Sequence, residues 1–169
     1  MITMQREVSS DVAQDVAFAY LADFTTTEQW DPGTITTVRV SGDGGVGTRY
    51  QNTSRFAGRV STIDYVVTAL RPGQSIDLRG ENSSVVVCDT ITVTARQTGC
   101  LITYRVRFAF QGWLKWIEPA LRPAVTRLLD DGVRGLQGQL RRLGERGISR
   151  TLPKSWLPTE PDHRRSSSE

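Results

Sequence analysis

From Val85 to Val93 the odd-numbered residues are Val85, Val87, Asp89, Ile91 and Val93, and only Asp89 is not apolar. Alternate residues of a strand point to one face, so this carboxyl group stands on a surface that its neighbours mark for burial. Burial disfavours the charged form of a carboxyl group and raises its pKa unless a partner compensates. The same alternation supplies partners. Tyr65 lies between Ile63 and Val67, Tyr104 shares a face with Ile102, Val106, Phe108 and Phe110, and Arg59 projects to that face from another strand. Three roles are open to Asp89. It can be a structural acid satisfied by tyrosine, by arginine or by water at a strand end; it can orient a ligand carbonyl or hydroxyl; or it can exchange a proton with a bound substrate. Asp89, Tyr65 and Tyr104 are the candidate catalytic set if the protein is an enzyme.

Other chemistries lack their residues. The single histidine is His163, near the C-terminal end. Ser-His-Asp and Cys-His catalysis, histidine general-base work and histidine metal sites therefore lose their central group. Two cysteines make neither a disulfide framework nor a metal site. Cys88 is expected to face outward and Cys100 to lie at a turn, both inert without a histidine to generate a thiolate. No metal and no cofactor is expected. Gly42-Asp43-Gly44-Gly45-Val46-Gly47 satisfies G-x-G-x-x-G, but a strand follows where a dinucleotide site needs a helix. The expectation is a hairpin turn with positive-φ positions.

The elements that must position Asp89 follow from periodicity. Residues 2–8 alternate as a first strand. Ser9-Ser10-Asp11 offer N-caps for a helix through Val12, Val16, Tyr20 and Phe24, and Thr25–Thr27 for a short second helix that Asp31-Pro32-Gly33 stops. Six strands are expected near 35–41, 47–56, 59–70, 74–80, 84–96 and 101–110, from their β-branched, period-two pattern and the turn residues between them. Helical spacing returns with Leu114, Ile117, Leu121, Val125, Leu128 and Leu129 and continues to Leu143, with Pro119 and Pro123 splitting or kinking its first turns. An antiparallel sheet with one face to cover and one long helix to cover it gives an α+β fold, and a curved sheet wrapped on a helix leaves a cavity.

Composition bounds the rest. The 169 residues, 38% of them hydrophobic, suit one domain of residues 1–143 followed by a flexible basic tail, 144–169. Residues 1–140 hold 14 Lys+Arg and 14 Asp+Glu, so the formal net charge of +3 arises beyond them. That balance argues against nucleic-acid binding. No apolar run is long enough to span a bilayer, and no basic-then-apolar leader is visible, so stable membrane insertion is not expected and a cytoplasmic location is. In the tail, Trp156-Leu157-Pro158 among basic residues reads as a flexible end, or as a contact for a membrane surface or a partner.

The order of elements, with Gly-Asp-Gly-Gly-Val-Gly-Thr at 42–48 and a long last helix, resembles the START-like helix-grip superfamily (SRPBCC). Tyr65-Val66-Val67-Thr68-Ala69-Leu70-Arg71-Pro72, Asp89-Thr90-Ile91-Thr92-Val93 with Gly99–Tyr104, and Asp131-Gly132-Val133-Arg134-Gly135-Leu136 are similar to its bacterial polyketide cyclase/dehydrase-like branch. The resemblance covers about residues 3–143. It implies a seven-stranded curved antiparallel sheet gripping the last helix around an apolar ligand cavity, with two short helices after the first strand. Candidate ligand contacts are Phe24, Trp30, Tyr50, Phe56, Tyr65, Asp89, Ile91, Tyr104, Phe108, Trp113, Ile117 and Leu121. Trp30 is the candidate for the rim. Trp113 and Trp116 either line an entrance or merely pack. The implied partner is a small hydrophobic molecule, such as a lipid or polyketide, held by a carrier or sensor. The alternative is a cyclase/aromatase-like enzyme in which Asp89 with Tyr65 or Tyr104 assists aldol cyclisation and dehydration. A third reading is a protein-interaction module, its protein partner unknown.

Overall fold

A computed structural model describes residues 1–145; Trp156-Leu157-Pro158 and His163 lie outside the described residues. The strands are β1 (Ile2–Ser10), β2 (Thr34–Ser41), β3 (Arg49–Phe56), β4 (Arg59–Arg71), β5 (Ser75–Glu81), β6 (Val85–Ala95) and β7 (Cys100–Phe110). They form one antiparallel sheet in the order β1-β7-β6-β5-β4-β3-β2. Consecutive strands from β2 to β7 pair as hairpins, and β1 closes the order against β7 from Ile2↔Phe108 to Ser10↔Cys100. The seven strands and the covering helix are those expected from sequence.

The inward faces also follow the alternation. Val85, Val87, Asp89, Ile91 and Val93 are buried on β6, while Thr94 is exposed and Cys88 half-buried. Cys100 differs from expectation: it is the first residue of β7 and is buried, and burial raises its thiol pKa. The loop at 42–47 is the β2–β3 hairpin, with positive φ at Gly42, Gly44 and Gly47. A Cβ at Gly42 would lie 2.7 Å from the Thr48 Cα, so the turn has no room for a side chain there. The Gly44 amide donates to the buried Thr48 hydroxyl at 2.9 Å and ties the turn down.

Helix α1 (Gln14–Ala22), a 3-10 turn (Phe24–Thr26) and α2 (Thr27–Trp30) follow β1. The expected Ser9–Asp11 cap is not formed. Pairing with β7 carries β1 through Ser10, and the helix starts after Ala13 without a side-chain cap. Asp23 instead caps the 3-10 turn, accepting from the Thr25 amide at 3.2 Å.

The long helix α3 (Glu118–Glu145) buries Val125, Leu129, Leu136 and Leu140 at three-to-four spacing against the sheet and α2. Its first turns are set apart. A 3-10 turn (Gly112–Trp116) precedes them, Pro119 sits in the opening turn, and Pro123 lies inside the helix. Proline is tolerated in a first turn, whose amides have no intrahelical acceptor. Farther in, it removes one bond of the ladder.

Candidate functional site

A cavity of about 110 Å³ lies between the inner face of the sheet and α3. The small helices contribute Phe24, Thr27, Trp30 and Asp31 to its wall. Strands β3 and β4 contribute Asn52, Phe56, Ile63 and Tyr65; β6 and β7 contribute Val87, Asp89, Ile91, Tyr104, Val106, Phe108 and Phe110; α3 contributes Val125, Leu128, Leu129 and Gly132. Of the candidate contacts, Phe24, Trp30, Phe56, Tyr65, Asp89, Ile91, Tyr104 and Phe108 therefore converge on one space.

Four candidates do not. Tyr50 is fully buried behind the wall, its ring edge-on to Phe24 at 5.6 Å. Trp113 and Ile117 are 64% and 38% exposed, and Leu121 is half-buried outside the lining. The physical reason is the break at Ile117, which turns residues 112–117 off the buried face that begins at Val125. Trp116 is exposed for the same reason. Arg59 is also displaced from its expected place. It is exposed at the start of β4, opposite Phe56 at the hairpin end, and does not supply the counter-charge for Asp89.

Tyrosine hydroxyls satisfy the acid instead, as hydrogen-bond donors. Asp89 faces Val106 across the β6–β7 ladder, with Tyr104 diagonal to it on the same side. The Tyr104 hydroxyl donates to Asp89 Oδ1 at 2.8 Å. Tyr65 makes a second, smaller interaction with the same carboxylate. The small helices hold both rings: Trp30 lies edge-on to Tyr104 at 6.1 Å, and Phe24 tilts against Tyr65 at 4.8 Å. Glycine makes room for Tyr65. A Cβ on Gly80, its cross-strand partner, would stand 2.5 Å from Tyr65 Cε1.

Asp89 is 3% exposed, and burial lifts its pKa from 3.8 to about 7 against the opposing hydrogen bonds from Tyr104 and Tyr65, with the Asp31 charge adding to the rise. Burial, then the neighbouring carboxylate, push the Tyr65 and Tyr104 hydroxyls well above their ordinary value. Both tyrosines are therefore neutral donors at physiological pH, beside an acid near its midpoint.

Asp31 is a wall residue that sequence reading assigned only to a turn. Its Oδ1 accepts from the Gly33 amide at 2.9 Å and its Oδ2 from the Thr34 hydroxyl at 2.8 Å. Burial raises its pKa despite these bonds. The available signal was its position next to Trp30, already placed at the rim. Trp30 itself is 5% exposed, and its buried Nε1–H has no hydrogen-bond partner. At the other end of the space Phe56, Phe108 and Phe110 stack with centroids 6.1–6.5 Å apart. The cavity thus has an aromatic end, where Ser54 and Ser61 also line the wall, and an end with acids and hydroxyls. Among the described residues no three His, Cys, Asp or Glu side chains converge as metal ligands.

The fold is shared with solved proteins of several kinds. An aromatase/cyclase from a Streptomyces species superposes with a TM-score of 0.73 at 14% identity, over 85% of this chain and 95% of that one. A START superfamily protein from Mycobacterium smegmatis gives 0.72 at 10% identity, over 83% and 98%. Ara h 8.0201 gives 0.64 at 20% identity, over 83% and 98%. At these identities the likeness establishes the fold alone. No curated protein matches the sequence. The family described as polyketide cyclase / dehydrase and lipid transport matches residues 1–141, and the chain belongs to it.

Proposed function

We propose that this protein binds a small, mostly apolar molecule bearing one oxygen function, and acts as its carrier or sensor. The observation that carries this reading is the cavity itself, whose wall sets Asp89 and its bonded Tyr104 beside the Phe56, Phe108 and Phe110 rings. A ligand carbonyl or hydroxyl finds its hydrogen-bond partners in Asp89 and the tyrosine hydroxyls of that wall. Affinity comes from apolar area on the Phe56, Phe108 and Phe110 side, and orientation from Asp89 and the tyrosines.

The volume limits the ligand. About 110 Å³ is close to the cavity that holds a benzene ring in an engineered protein interior, and below the roughly 300–1,000 Å³ of ordinary ligand pockets. A longer ligand needs the wall to give. The α3 part of that wall, Val125 to Gly132, follows a helix start where Pro119 and Ala120 are exposed and Pro123 interrupts the backbone ladder. Native mass spectrometry of the purified protein, followed by solvent extraction, tests this reading. The expected result is a stoichiometric adduct of low mass and mostly carbon skeleton. A protein that carries no adduct and takes up none from a panel of phenols, fatty acids and polyketide-like aromatics contradicts it.

One observation favours a second reading, a cyclase/dehydratase-like enzyme. An acid with a pKa of about 7 can both give and take a proton at neutral pH. In that case Asp89→Asn abolishes turnover of a β-keto substrate while leaving binding in place.

A further inference from the structure

Residues 111–120 carry three exposed large apolar side chains where the chain enters the long helix. Trp113 is 64% exposed, Trp116 79% and Ile117 38%, all within five consecutive positions. Trp30, by comparison, is 5% exposed. Tryptophan left in water forfeits a large burial term, and a clustered pair marks a contact surface rather than chance. The unpaired charges of this stretch are cationic. Lys115 lies between the two tryptophans with its ammonium 5.3 Å from the Trp116 ring centroid, and Arg122 is exposed one helical turn into α3. The only acid in the stretch, Glu118, is neutralised by the chain's amino terminus. Amphipathic indoles interleaved with unpaired cations match the interface of an anionic bilayer, where rings sit at headgroup depth and cations meet lipid phosphates.

We propose that the 112–117 turn is a peripheral docking element for an anionic lipid surface. Its seating is shallow and reversible: the turn is one short 3-10 segment, and no described helix is long and apolar enough to cross a membrane. The connection to the cavity is short. Phe110 lines the cavity wall, and Trp113 follows three residues later through Gly112, whose positive φ turns the chain outward. Docking therefore sets the aromatic end of the cavity and the proline-broken start of α3 toward the lipid. The proposal stands whether or not the cavity proves to bind a ligand.

Vesicle co-sedimentation of the full chain tests it, using phosphatidylcholine alone and phosphatidylcholine mixed with phosphatidylserine. Wild type is expected to bind the anionic vesicles more tightly. The Trp113→Ala/Trp116→Ala double variant should lose about tenfold or more of that binding at an unchanged melting temperature. Lys115→Glu should lose at least about fivefold on anionic vesicles and little on neutral ones. Brominated acyl chains should quench wild-type tryptophan fluorescence, and the double variant much less. Wild type that fails to bind either vesicle overturns the proposal, as does a double variant that binds like wild type. A wild-type dimer that the double variant turns into a monomer, with no vesicle binding, assigns the surface to a second copy of the chain and also overturns it.

Discussion

Asp89→Asn separates the protonation of the buried acid from its packing, because the amide keeps the shape and still accepts a hydrogen bond from Tyr104. In the folded protein Asp89 has a pKa of about 7 against an ordinary 3.8. That displacement corresponds to about 4 kcal/mol in favour of the neutral form. The folded state holds this proton more tightly than the unfolded chain does. Stability is therefore greatest below pH 4, falls as pH climbs through 4 to 7, and levels off above the folded pKa. About 2–3 kcal/mol of the loss falls between pH 5 and pH 8. For a domain of this size that is roughly 5–10 °C in melting temperature. Thermal melts of wild type and Asp89→Asn across that window are the assay, and their difference removes every other titrating group. Wild type should lose ground to the variant as pH rises, and the variant should be the more stable protein at pH 8. Parallel curves would mean that Asp89 titrates like a solvated carboxyl group and is not held neutral by burial.

Three further outcomes follow from the same geometry. Tyr104→Phe removes the 2.8 Å bond to Asp89; carboxyl carbon NMR should show the Asp89 pKa rising further, and chemical denaturation a loss of about 1–3 kcal/mol above pH 7. Gly80→Ala brings a Cβ within 2.5 Å of the Tyr65 ring and 2.8 Å of Ile63 Cγ2; it should cost about 1–3 kcal/mol in denaturant titration and shift the Tyr65 ring signals in NMR spectra. Leu129→Ala, at a 3% exposed position in the cavity wall, should cost about 2–5 kcal/mol and enlarge the cavity enough to raise uptake of a benzene probe.

The inner face of the sheet was legible because alternation on β6 and β7 is unbroken. Given that pattern, Asp89 stands out in the sequence itself as an acid on an apolar face. Its partner Tyr104 was legible too, being on the next strand and the same face. What alternation cannot give is position along a strand. Arg59 has an inward-facing neighbour pattern, yet it lies at the far end of β4, several rungs from Asp89, and is solvated. The stripe of α3 misled at its start for a related reason. Leu114 and Ile117 keep helical spacing, but the break before Glu118 resets the phase, so Trp113 and Ile117 leave the buried face. Asp31 was hidden by its local sequence. Asp-Pro-Gly is a strong turn signal, and only the folded chain shows the turn bent over the cavity. The caps of α1 were lost to pairing: β1 continues against β7 through the serines that would have capped it.

Methyl NMR detects a cavity with an apolar body and a hydrogen-bonding end. The protein, labelled at Ile, Leu and Val methyls, is titrated separately with benzene and with phenol, two rings that differ by one hydroxyl. Saturable shifts are expected at Ile91, Val106 and Leu129, none at the outward Val38 and Val60, and phenol should bind more tightly by about 1 kcal/mol or more. Silent Ile91, Val106 and Leu129 methyls, or benzene bound as tightly as phenol, would contradict such a cavity.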